Sequence, residues 1–153
     1  MIKIDVIVKD KNWLKFIKNP DKYLKGKLKK IKKNKFFGKN KYNLTVQLSG
    51  SKEIKLLNKK FRKKNYSTDI LSFPNQTKKE LKKLLNNNKK IYLGDIIINY
   101  EKISKNSKII FKNNFDILWI HGLVHLFGYE HKKDYNYRKM FLIEKNLLKN
   151  LND

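Results

Sequence analysis

The 153-residue chain predicts an α/β (α+β) domain, a mixed sheet of about four strands covered by helices. Three observations predict it. Apolar residues make up 40% of the sequence, enough for one hydrophobic core at this length. Stretches of apolar alternation interleave with stretches of helical spacing, so strands and helices follow one another along the chain. No repeat, and no linker long enough to divide the chain, interrupts that order, so residues 1–153 read as one domain.

Within Met1 to Val8, the residues Ile2, Ile4, Val6 and Val8 alternate on one face of a half-buried strand. Asn19-Pro20-Asp21 then supplies a cap, a first-turn proline and an acid suited to the helix dipole. Leu24, Leu28 and Ile31 follow at helical spacing, giving a basic amphipathic helix up to about Lys33. Such a helix has a membrane-surface reading, but packing its apolar stripe on a sheet is far commoner. Leu44, Val46 and Leu48 form a second strand ended by Ser49-Gly50-Ser51, and Ile54, Leu57 and Phe61 mark a helix from Ser51 to Lys64.

Thr68 to Phe73 is a short strand stopped by Pro74. Asn75 to Lys90 is a polar insert with a short helix around Glu80 to Leu85. Ile91 to Asn99 is a strongly apolar strand with Asp95 in its middle. Two helices close the chain. One runs from Asn114 to Leu126; the other runs from Tyr135 to Leu151, with Asp134 as its cap and Met140, Ile143 and Leu147 as its inner stripe.

The net charge of +25 has the sign of a nucleic-acid binder, but its origin must be discounted first. Of the 38 basic residues, 36 are lysine and only Arg62 and Arg138 are arginine, beside 19 asparagines and no alanine. That pattern follows AT-rich codons, so much of the lysine is solvated surface. Phosphate polymers remain the favoured partners of so positive a field. The same bias makes a retained arginine informative, because a guanidinium recognises phosphate or carboxylate bidentately and an ammonium does not. The chain has no cysteine, which excludes disulfides and cysteine-rich structural zinc sites. It shows no export signal, and the apolar stretch Phe115 to Tyr129 is too short to span a bilayer. A soluble, cytoplasmic protein with no membrane partner is expected.

All three histidines fall in one string, His121-Gly122-Leu123-Val124-His125-Leu126-Phe127-Gly128-Tyr129-Glu130-His131. His121 and His125 lie one turn apart on a helix face, and Gly128 lets the backbone turn to bring in His131 as a third ligand. Three imidazoles leave a metal with an open position, as in a catalytic rather than a structural site. The spacing matches the H-E-x-x-H-x-x-G-x-x-H pattern of zinc proteases, a zincin-like metal helix with three histidine ligands. Their general base, the glutamate, is replaced here by Gly122, which suits close helix packing and cannot take a proton.

These residues carry a family resemblance. His121 to His131 resembles the H-G-x-x-H-L-x-G-Y-D-H signature of the YbeY-type endoribonucleases, with Glu130 in place of the aspartate. Leu57-Asn58 with Phe61-Arg62 resembles that family's L-N-x-x-Y-R. Ser67 to Pro74 resembles P-T-D-V-L-S-F-P, Leu93-Gly94-Asp95-Ile96 resembles L-G-D-I, and Met140 with Glu144 keeps the spacing of M-x-x-x-E. The resemblance implies a single-strand-specific, metal-dependent endoribonuclease acting in 16S rRNA 3′-end maturation and ribosome quality control. It implies one zinc ion, or another divalent metal, on His121, His125 and His131, and a catalytic role for Arg62 beside His121. Single-stranded RNA, rRNA and the small ribosomal subunit are the implied partners.

In that reading Arg62 clamps the phosphodiester, and the RNA 2′-hydroxyl or a metal-activated water is the nucleophile. Asp95 is expected either to orient a ligand histidine or to cap a loop, and Asp69 to hold its own loop. Met140 and Tyr129 are expected to pack around the metal, Glu144 to pair with a lysine, and Arg138 to lie on the surface. Two competing classes stand beside the nuclease: a non-catalytic ribosome-binding assembly factor with a structural metal, and a zinc metalloprotease.

Overall fold

Alternating apolar residues build a sheet of four strands, numbered β1 (Ile2–Val8), β2 (Lys41–Ser49), β3 (Ile70–Pro74) and β4 (Lys90–Asn99) along the chain and lying side by side in the order β1-β2-β4-β3. The computed structural model describes residues 1–85, 87 and 89–153. Strands β1, β2 and β4 are parallel. The edge strand β3 runs antiparallel to β4, so the sheet is mixed, as the sequence predicts.

Helix α1 (Pro20–Ile31) begins as its sequence dictates. The Asn19 side chain accepts from the Lys22 backbone N–H, and Pro20 fills the first turn. Its Leu24, Leu28 and Ile31 are buried in the main core, which answers the membrane-surface alternative for this stripe. Helices α4 (Lys108–Leu126) and α5 (Asp134–Asn152) complete that side, where Ile96 and Ile98 of β4 enter the same core. Helix α2 (Ser51–Arg62) covers the other face, where Ile54 meets Leu71 and Ile97. The polar insert contains α3 (Lys78–Leu84), held by a reciprocal capping box between Thr77 and Glu80. Asn86 and Asn88 of that insert lie outside the described residues.

Several expectations need correction. Helix α4 starts at Lys108, not Asn114, because Ser107 caps it by accepting from the Ile110 N–H. Ile109 is 73% exposed and precedes fully buried Phe111, so the apolar run Ile109-Ile110-Phe111 obscures the helical period. Helix α5 has Lys133 at its cap, with no side-chain capping bond; Asp134 sits in the first turn, where a carboxylate still favours the dipole. Phe61 is exposed rather than part of the α2 inner stripe, and α2 closes at Lys63 in a left-handed conformation. A 3-10 turn at Lys11–Lys15, which apolar periodicity does not reveal, buries Trp13 completely, with its Nε1 donating to the Ser49 carbonyl. Among the described residues no helix is long and apolar enough to cross a membrane.

Candidate metal centre

The histidine helix lies unusually close to the sheet. A Cβ on Gly122 would stand 2.8 Å from Ile96 Cγ2 and 3.0 Å from Ile70 Cδ1, so the glycine permits the approach of α4 to β3 and β4. This is the packing role expected of it. His121 and His125 flank that contact and open onto a cleft beside β3. After α4 ends, Gly128 adopts φ +88°, and a Cβ there would meet Lys78 Cβ at 2.7 Å. Both conditions demand glycine. The turn brings His131 back to the other two rings, with centroids 5.1 Å from His125 and 5.6 Å from His121.

One ligand atom from each histidine lies within 4.8 Å of the others. The outer nitrogens are held from behind. His125 Nδ1 lies 2.8 Å from the Tyr129 carbonyl, and His121 Nδ1 lies 2.8 Å from Glu144 Oε1. A carbonyl only accepts, so His125 carries its proton on Nδ1; the Glu144 carboxylate selects the same tautomer for His121. Both Nε2 atoms are then bare lone pairs, and they face each other at 3.0 Å. Two such lone pairs repel unless a cation stands between them. Burial first, and then the neighbouring His121, push His125 below the ordinary imidazole range, which favours the neutral ligand form. The donor set fits a divalent metal with affinity for imidazole.

Glu144 therefore stands behind a histidine, where a lysine partner was expected. It also takes the orienting role that was one of two readings of Asp95. Asp95 instead accepts from Tyr92 Oη at 2.6 Å, while Tyr92 also meets Thr45. Asp95 thus accepts the hydrogen bond expected of an acid in an apolar strand but serves neither a histidine nor a loop, and the reason is alternation: Ile96 faces α4, which turns its neighbour Asp95 to the other side of the sheet. The Asp69 side chain accepts from Thr68 Oγ1, and its backbone carbonyl accepts from the Asn99 N–H, so the residue does anchor its loop. Met140 is 2% exposed within the core, and Tyr129 packs half-buried against it.

The cleft has a volume of about 840 Å³ and is lined by the three histidines together with Arg62, Asp69, Ser72, Lys78, Glu130 and Lys132, among others. Arg62 arrives from the far face of the sheet, at the end of α2. Its Nη2 donates to the Ser72 carbonyl at 2.8 Å, and its guanidinium carbon lies 5.6 Å from the Phe73 ring centroid. This is possible because β3 is an edge strand. Asp69 and Asn75 bond to β4 on either side, so the alternating Ser72 carbonyl points outward. The geometry thus brings all four predicted site residues, Arg62, His121, His125 and His131, to one cleft. Sequence reasoning missed the Tyr129 carbonyl, because a backbone acceptor leaves no mark on residue type. The spacing from Met140 to Glu144 was a signal for the carboxylate but did not name its partner.

The family model described as "Endoribonuclease YbeY" matches residues 8–152. The protein named Endoribonuclease YbeY of Pelagibacter ubique is 45% identical over 144 residues, spanning 92% of this chain and 90% of that relative. The Endoribonuclease YbeY of Mycoplasma mobile is 35% identical over 102 residues, 65% of this chain and 64% of its own length. The solution structure of TM1509 from Thermotoga maritima superposes with a TM-score of 0.60 at 26% identity, covering 99% of this chain and 89% of that one. A match of this extent, on a chain whose histidines and Arg62 meet at one cleft, decides the matter: the chain belongs to the YbeY family.

Proposed function

We propose that residues 1–153 act as one metal-dependent endoribonuclease domain that cuts single-stranded RNA in the cytoplasm. The observation that carries the reading is the pair of bare Nε2 atoms 3.0 Å apart, beside a third histidine and in the same cleft as Arg62. The relatives' shared name, Endoribonuclease YbeY, supplies the bond class. His121, His125 and His131 hold the metal, for which zinc is the natural choice on three imidazoles. When bound, the ion supplies Lewis-acid polarisation of a phosphoryl oxygen and of water.

The remaining steps belong to side chains. Arg62 leaves or shares the Ser72 carbonyl to bind the non-bridging oxygens of the scissile phosphate in a bidentate fork, stabilising charge as it develops there. Glu144 and the Tyr129 carbonyl keep protons on the two Nδ1 atoms, so that both Nε2 atoms stay available. No carboxylate stands at Gly122 to act as a protease base. RNA reduces that need, because its 2′-hydroxyl is a built-in nucleophile. The natural substrate in this reading is the 3′ end of 16S rRNA on the small ribosomal subunit, with a part in ribosome quality control, as the family resemblance implies.

The test is cleavage of a single-stranded rRNA fragment by purified protein, beside a His121→Ala variant shown by circular dichroism to be folded. Cleavage by the wild type that disappears in the variant supports the reading. Equal cleavage by both proteins marks a contaminating nuclease, and that outcome, or no cleavage at all, overturns it.

A further inference from the structure

Arg138, the second of only two arginines among 38 basic residues, has no place in the chemistry above. It lies on α5 between Tyr137 and Phe141, two rings that the fold leaves 57% and 50% exposed. The rings are nearly parallel, with 10° between planes and 6.5 Å between centroids, at the far limit of mutual stacking. Helical spacing sets Arg138, Phe141 and Lys145 at i, i+3 and i+7, so the two cations lie along one line with the second ring. Among the described residues none of Lys133, Arg138 and Lys145 forms an ion pair. The result is a face of open aromatic surface flanked by unneutralised cations.

That face is linked to the metal centre through its neighbours on α5. Phe141 precedes Glu144 by three residues on the same side of α5, and Glu144 bonds His121 directly. On the other side Lys139 reaches the ring of Tyr129, whose carbonyl holds His125. Phe141 and Tyr137 lie one and two helical turns before Glu144, the residue bonded to His121.

We infer that the Tyr137–Arg138–Phe141 face of α5 is a docking platform for the single-stranded RNA flanking the cleavage site. Bases stack on the two rings, and Arg138 and Lys145 take the adjacent phosphates. RNA fits better than an apolar protein partner because rings and free cations alternate along the face, which suits a polymer with both π faces and charge. The inference rests on the endoribonuclease reading, since it extends the track of the strand that enters that cleft.

The test is fluorescence anisotropy with labelled 2′-O-methyl oligoadenylates of about four and about sixteen nucleotides, spanning the footprints of small single-strand sites. The wild type should bind the longer strand more tightly. A folded Tyr137→Ala/Phe141→Ala variant should lose that difference, through affinity for the longer strand weakened roughly 5-fold to 100-fold, at an unchanged salt slope. Arg138→Ala should lower the logarithmic salt slope by about 0.7, the share of one phosphate, and Arg138→Lys should restore it. Variants that bind the longer strand as the wild type does overturn the platform. If the wild type still cleaves RNA, the nuclease reading survives that result; a wild type that neither binds nor cleaves sinks both. Ring variants with unaltered RNA affinity and a changed mass in light scattering would make this face a protein interface instead.

Discussion

Replacing Glu144 with alanine removes the carboxylate that fixes His121. The bond is 2.8 Å long, and the two side chains are 28% (His121) and 19% (Glu144) exposed. A hydrogen bond to a charged group contributes about 1.5–3 kcal/mol. Partial exposure screens the pair and places it in the lower half of that range. A loss of about 1.5–2 kcal/mol weakens metal binding roughly 10-fold to 30-fold, because each 1.4 kcal/mol is tenfold, and it falls within the span seen for outer ligands' supports. Glu144→Gln keeps an acceptor for the Nδ1 proton and should lose less than about tenfold. The assay is competition for zinc against a chromophoric chelator at fixed pH, with circular dichroism confirming the fold. Folded Glu144→Ala protein that binds zinc within about twofold of the wild type would refute the role assigned to this carboxylate.

Three further outcomes follow from the geometry. Arg62→Lys should retain its metal and lose about tenfold or more in RNA cleavage, since an ammonium cannot reproduce the bidentate fork; undiminished turnover removes Arg62 from the mechanism. Gly122→Ala forces a methyl to within 2.8 Å of Ile96 and should lower stability by about 1–3 kcal/mol in urea unfolding, with unchanged unfolding counting against close helix packing. The folded value of His125 is depressed below its ordinary 6.5, so the unfolded chain takes up that proton first. The metal-free protein should therefore hold this contribution above pH 6.5 and lose it as pH falls toward the folded value. Comparison with His125→Gln isolates the effect, and parallel stability curves for the two proteins would contradict it.

Much of the site was legible because its chemistry is local. His121, His125, Gly128 and His131 lie within one helix and the turn after it, and helical spacing with a glycine break was enough to place them together. Arg62 stood out by composition, yet its route into the cleft was not legible. It depends on β3 being an edge strand, and that is set by pairings distant in sequence. Asp95 misled for a related reason. An acid in an apolar strand signals a partner, but which face it takes depends on register, and here register turned it toward Tyr92. The start of α4 was hidden because Ile109 and Ile110 are apolar and exposed, while Ser107, the residue that opens the helix, carried the quieter and correct signal.

The central claim is that the three histidines form a metal centre, and its most direct test is elemental analysis of the purified wild-type chain beside the folded His121→Ala variant. The account predicts close to one divalent ion per chain in the wild type and a marked loss in the variant. A wild-type chain that carries no metal, and takes up none when zinc is supplied, would contradict it.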